Sequence, residues 1–198
     1  MQWYEEEVKW IERSFKENPP PAGQVAFYGS SSIRLWQTLV DDFRDDGVLN
    51  LGFGGATMAA CAWFFERIVV PCAPRSIVFY AGDNDLGDGQ SPEAVISSFR
   101  EFIRKLDTYF PSIPFAFLSI KPSPSRWQIV NQILLTNKAV RQELANREGN
   151  YFIDVFTPML GANGLPDTSF FLDDGLHVSP KGYRLWQEVL NKWRDKIF

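Results

Sequence analysis

Five short apolar runs punctuate the chain: QVAFYG at 24–29, GVLNLG at 47–52, SIVFYAG at 76–82, IPFAFLSI at 113–120 and NYFIDV at 150–155. Each is rich in Val, Ile, Phe or Tyr and bounded by turn-forming residues, which predicts a buried strand. Between the runs, apolar positions recur at helical spacing. Tyr4, Val8, Ile11 and Phe15 form one stripe ahead of the first run, and Phe99, Phe102, Ile103 and Leu106 form another between the third and fourth. Strands alternating with helices predict parallel βαβ units, right-handed crossovers and a sheet covered on both faces. Pro19–Pro21, Pro71, Pro74, Pro111 and Pro114 mark the breaks, and Ser179–Pro180 reads as the cap and first residue of a last helix over 181–196. No internal repeat or low-complexity segment appears, so one domain over residues 1–198 is expected.

Composition narrows the function classes. A chain of 198 residues can bury a substantial core, and a net charge of -4 with both signs interspersed offers no basic stripe for nucleic acid. The start, MQWYEEEVKW, is acidic where an export signal would be basic, and the most apolar window, CAWFFERIVV, is broken by Glu66 and Arg67. No membrane partner and a cytoplasmic location are therefore expected. Cys61 and Cys72 read as buried reduced thiols. One histidine and two cysteines are too few for an ordinary zinc centre.

In a parallel sheet, ligands bind beyond the C-terminal strand ends. Those ends read GSSS, GFGGATM, AGDNDLGDG and KPSPSRW, followed after the fifth strand by a long irregular segment with the chain's one histidine, His177. Asp174 lies three residues before it across a glycine turn, a spacing that lets a carboxylate accept from Nδ1–H and leaves Nε2 as a base; the adjacent Asp173 is the other candidate partner. GFGGAT departs from the dinucleotide pattern G-x-G-x-x-G because Thr57 stands at its last position. Its glycines also suit a backbone donor to a reacting carbonyl, Gly55 among them. Asn84 can form a turn or aim its amide at developing negative charge, and Asp83 with Asp85 forms an alternative cation site.

Taken together, these blocks resemble the SGNH hydrolases, the GDSL esterase and lipase superfamily, in order and spacing across nearly the whole chain. GSSS is similar to the Gly-Asp-Ser block and places the nucleophile at Ser31. NLGFGG, GDND and DGLH are similar to the other three, giving Gly55, Asn84, Asp174 and His177. Ser30 stands where the family's first block has Asp, which raises the question of how the oxyanion loop is braced. The resemblance implies a flavodoxin-like three-layer α/β/α sandwich with a five-stranded parallel sheet. It also implies a cofactor-free and metal-free ester hydrolase, in which His177 takes the Ser31 proton and the oxyanion meets the Ser31 and Gly55 N–H groups and the Asn84 amide.

The expected partner is a small ester with a short acyl or acetyl group, carbohydrate esters included, because no long lid or exposed apolar helix is evident. Trp36, Phe53, Trp127, Phe170 and Phe171 are the candidate walls of such a site, and Lys121 and Arg126 the candidate contacts to a polar alcohol portion. Two rivals share the fold: a non-catalytic flavodoxin-like binding module, and a metal-dependent phosphoryl enzyme built on Asp83, Asp85 and the glycines.

Overall fold

The computed structural model describes residues 1–198. Its five strands, β1 (Val25–Gly29), β2 (Val48–Gly52), β3 (Ser76–Tyr80), β4 (Phe115–Leu118) and β5 (Asn150–Ile153), form one parallel sheet in the order β2-β1-β3-β4-β5. Each lies inside the apolar run that predicts it, a residue or more shorter. The helices are α1 (Glu5–Glu17), α2 (Ser31–Arg34), α3 (Leu39–Asp42), α4 (Met58–Ile68), α5 (Asp83–Gly87), α6 (Pro92–Tyr109), α7 (Val130–Leu144), α8 (Pro180–Asn191) and α9 (Arg194–Ile197).

One sheet face carries α1, α4, α6 and α7 around a core of 33 buried residues, and the other carries α2, α3, α8 and α9 around 21, which makes the α/β/α sandwich. Helix α6 illustrates the local logic. Ser91 accepts from Ala94 N–H as the cap, Pro92 opens the first turn without losing a needed donor, and the Phe99, Phe102, Ile103 and Leu106 stripe is buried. Phe102 stacks on Phe79 of β3 with ring centroids 4.1 Å apart. Truncating such a side chain to alanine costs about 3–5 kcal/mol, the loss expected for Phe102→Ala.

The last helix differs from its expected span. It ends at Asn191 and restarts at Arg194, and the break lets the C-terminus fold back on the sheet. Phe198 stacks on Phe43 at 4.9 Å, and Ser76 Oγ donates to Ile197 O. KPSPSRW, the segment after the fourth strand, runs into a 3-10 turn at Pro124–Ile129. Both cysteines are buried and free, and no helix is long and apolar enough to cross a membrane. The sheet order reverses between β1 and β3, so the crevice beyond their C-terminal ends is the place for a ligand.

Candidate active site

The turn after β1 is built around Gly29. Its φ is +142°, and a Cβ there would sit 1.9 Å from Tyr80 O, so only glycine fits between β1 and β3. Ser30 N–H then donates to Tyr80 O at 3.0 Å, and the chain enters α2 with Ser31 as its first residue. Ser30 and Ser32 are buried while Ser31 is half-buried, which singles it out as the accessible hydroxyl of the three. As the first helical residue its N–H has no acceptor within the protein.

On the β2 side, Phe53 N–H donates to Gly29 O at 3.0 Å and the chain turns through Gly54 and Gly55. Gly55 has φ +66°, is exposed, and its N–H is likewise free of any protein acceptor. The loop then enters α4, capped by Thr57 and held by Asp85, whose oxygens accept from Met58 N–H at 2.9 and 3.0 Å. Burial pushes the Asp85 carboxyl up to about 6, against the lowering effect of that hydrogen bond.

On the β3 side, Asn84 lies in the first turn of α5 and is half-buried. Its Nδ2 donates to Ala56 O at 3.0 Å and its Oδ1 accepts from Arg126 Nη2 at 3.3 Å. One amide N–H is thereby tied to the residue after Gly55, and the second remains to donate. The three candidate donors thus sit on the ends of three adjacent strands, with Ser31 on the middle one.

The histidine is organised by its own turn. Asp174 Oδ2 meets His177 Nδ1 at 2.6 Å, and Oδ1 accepts from Leu176 N–H and His177 N–H at 2.8 and 2.9 Å. The His177 hydrogen bond, with these backbone bonds, pushes the Asp174 carboxyl down to about 2. Of the two candidate partners, Asp174 is the one so engaged. Ser125 N–H and Oγ–H hold Gly175 O at 3.0 and 3.1 Å, which fastens this turn to the loop after β4. Tyr183 of α8, the helix that follows the turn, donates to Ser32 O at 3.0 Å, which fastens α8 to the Ser31 helix. Nε2 of His177 makes no hydrogen bond within the protein, to Ser31 or any other group, a looseness common before a substrate is bound.

Several expected contact residues are placed elsewhere. Trp36 is 1% exposed and stacks on Tyr183 at 5.0 Å; Phe53 is 0% exposed and packs edge-on against Tyr4 and Phe64. Both are core, on opposite faces of the sheet: Trp36 in the smaller cluster beside Phe27 and Trp186, Phe53 in the larger one. Phe171 is buried too, Phe170 is half-buried beneath Lys181, and Trp127 packs at the margin of the larger core. Lys121 is buried and paired with Asp83, so it offers nothing to an alcohol portion. Arg126 also binds Asp83, Nη1 to Oδ1 at 2.7 Å, as well as Asn84. Burial works against the Asp83 charge, but Lys121 and Arg126 outweigh it and leave that carboxyl below its ordinary value; burial lowers Lys121. Asp83 and Asp85 are therefore already committed to protein donors and do not form a cation site. This buried ion cluster behind Asn84 is not anticipated from the motifs. The available signal was a lysine directly after an apolar strand run, where a charge needs a buried partner.

Comparisons with known proteins agree with the fold. The description of the GDSL-like lipase/acylhydrolase family matches residues 22–185. Among solved structures, a candidate platelet activating factor from Streptococcus pneumoniae superposes with a TM-score of 0.84 at 20% identity, over 97% of this chain and 94% of that one. A GDSL-like lipase from Bacteroides thetaiotaomicron gives 0.77 at 21%, over 96% and 98%. A carbohydrate esterase family 3 protein from Talaromyces cellulolyticus gives 0.71 at 15%, over 88% and 97%. No match was found among curated proteins. At these identities the structures attest the fold, while the family match spans most of the chain: the protein belongs to the GDSL-like lipase/acylhydrolase family of ester hydrolases.

Proposed function

We propose that the protein is a serine carboxyl ester hydrolase that works through an acyl-enzyme on short-chain or acetyl esters, carbohydrate esters among them. The observation that carries this reading is the bond from His177 Nδ1 to Asp174, which leaves Nε2 without a protein partner as a base, in a turn that leads into α8, itself fastened to the helix of the half-buried Ser31. His177 Nε2 takes the Ser31 Oγ proton as Oγ attacks the carbonyl carbon. The carbonyl oxygen becomes an oxyanion that meets Ser31 N–H, Gly55 N–H and the second Asn84 amide N–H. Asp174 holds the tautomer and stabilises the imidazolium. The imidazolium returns its proton to the leaving alkoxide, and water deprotonated by the same nitrogen then releases the acid.

The short-acyl part of the reading rests on the sequence, and its carbohydrate part is favoured by the likeness to a carbohydrate esterase. The test is hydrolysis of p-nitrophenyl acetate beside longer p-nitrophenyl esters and an acetylated oligosaccharide, with a fluorophosphonate probe mapped by mass spectrometry. Label on Ser31, loss of turnover in a folded Ser31→Ala variant and preference for acetyl are the expected results. Turnover of the acetyl ester by Ser31→Ala at the wild-type rate overturns the mechanism, and a preference for long acyl chains overturns the substrate class.

A further inference from the structure

The family's first block carries an aspartate where this chain has Ser30. Ser30 has no carboxylate to offer and makes no side-chain capping bond, and the contacts that hold the Gly54–Gly55 loop come from elsewhere. They come from α1 and the turn before it, ahead of the residues that define the family match. Glu7 Oε2 accepts from Gly54 N–H at 2.9 Å, and Glu7 Oε1 pairs with Arg34 Nε at 2.6 Å. Tyr4 Oη donates to Gly55 O at 3.2 Å, and its ring packs edge-on against Phe53 at 5.6 Å and Phe64 at 6.2 Å. The fit at Gly54 is close, since a Cβ there would lie 3.2 Å from Glu7 Oε2 and 3.5 Å from Arg34 Nη1.

These contacts fall on either side of one peptide group. Gly54 N–H belongs to the peptide before it and Gly55 C=O to the peptide after it. The Gly55 N–H in between has no protein acceptor. Two successive glycines have more backbone freedom than any other pair, so without outside contacts this N–H would not keep one direction. Arg34 lies on α2, one turn after Ser31, so the Glu7 carboxylate ties the glycine loop and the serine helix to one point.

We propose that α1 and its leading turn are part of the catalytic apparatus: Glu7 and Tyr4 are positioning residues that fix the direction of the Gly55 N–H toward the oxyanion. This rests on the reading of Gly55 as an oxyanion donor. Helix α1 does not depend on Glu7 for its attachment, because Arg67 binds Glu5 at 2.9 Å and Glu12 at 2.7 Å, and Val8 and Ile11 are buried. Removing the Glu7 carboxylate should therefore free the loop and leave the helix in place.

The experiment compares wild type, Glu7→Ala, Glu7→Gln and Tyr4→Phe by ester kinetics, thermal melting and deuterium uptake of the peptide covering residues 52–57. Glu7→Ala should exchange faster in that peptide and lose roughly ten- to a hundredfold in kcat, the scale for a displaced catalytic group, with KM within about twofold. Its Tm should stay close to wild type. Glu7→Gln keeps an acceptor for Gly54 N–H and should recover most of kcat; Tyr4→Phe, which deletes one oxygen, should show a smaller fall of the same kind. Unchanged exchange in folded Glu7→Ala and Tyr4→Phe overturns the brace. Faster exchange with wild-type kcat overturns the positioning role by removing Gly55 from the oxyanion site, while full turnover by Ser31→Ala fails the serine mechanism itself and is read separately.

Discussion

Replacing Asn84 by alanine separates a catalytic donor from a turn former, and the structure sets the size of both effects. The side chain makes two half-buried hydrogen bonds, to Ala56 O at 3.0 Å and from Arg126 Nη2 at 3.3 Å. Each contributes about 0.5–1.5 kcal/mol net. Arg126 keeps Asp83 in the variant, which limits its loss, so Asn84→Ala should cost about 1–2 kcal/mol. For a chain of this size that is a fall in Tm of roughly 2–8 °C. A domain with several kcal/mol of stability stays folded at 25 °C after such a loss, so unfolding takes almost nothing from the measured rate.

The loss of one donor to the oxyanion acts on the transition state alone. It should lower kcat by roughly 100-fold to 1,000-fold while KM hardly moves. Asn84→Asp sharpens the contrast. It keeps an oxygen for Arg126 but gives up the N–H groups and adds negative charge beside the developing oxyanion, so kcat should fall at least as far with a smaller change in Tm. Steady-state kinetics and melts on the same preparations decide the matter. An Asn84→Ala variant that melts several degrees lower and turns over within twofold of wild type would refute the donor role.

Further consequences can be measured separately. The kcat/KM profile should rise with pH through a single protonation, since His177 must be neutral to accept the serine proton, no second imidazole exists and Asp174, held at about 2, stays ionised throughout; His177→Gln should abolish that limb along with most of the activity. Asp85, held at about 6 by burial, binds a proton more tightly in the folded chain than in the unfolded one, so its contribution to stability is complete below about pH 4 and is lost as pH rises through about 6. Urea unfolding should therefore show wild type losing up to about 3 kcal/mol relative to Asp85→Asn between pH 4 and 7.5, and parallel curves would contradict it. Lys121→Met leaves the buried Asp83 with Arg126 as its one remaining cation, and should cost about 3 kcal/mol in denaturant melts, the low end for breaking a buried pair.

The strands were legible because each is a short apolar-rich run flanked by turn-forming residues; β1, β3 and β4 are buried throughout, while β2 and β5, at the sheet edges, keep partly exposed positions such as Asn50. Ser31, Gly55, Asn84, Asp174 and His177 could be singled out as candidates because each sits at a strand end or a glycine turn, where the motif carries its own local geometry. Asp174 and His177, for example, need only a three-residue spacing to meet at 2.6 Å. What failed were contacts set by tertiary packing. Trp36 lies five residues after Ser31 in sequence, yet its ring turns under the sheet to meet Tyr183, and Lys121 follows a strand end yet points inward to Asp83. Sequence proximity to a motif says nothing about which way a long side chain turns. Glu7 was out of reach for the same reason, since its partner Gly54 is 47 residues away.

A common logic connects the carboxylates that the sequence left as candidate metal ligands or as surface charge. Asp85 holds Met58 N–H at the start of α4, Glu7 holds Gly54 N–H, and Asp83 holds Arg126, which in turn holds Asn84. Each fixes one support of the glycine loop or the asparagine, and none is left free to take a cation. Two of the three are buried, and Asp85 shows the consequence in a carboxyl raised to about 6: a charge kept out of water at some expense in stability. Natural domains retain such destabilising groups where function needs fixed dipoles, and fixed dipoles are what oxyanion stabilisation requires, since donors already aimed at the developing charge need no reorganisation during the reaction. On the proposed role of Glu7, which reaches Gly54 N–H from α1, the turn before Ser31 does not have to supply a carboxylate of its own.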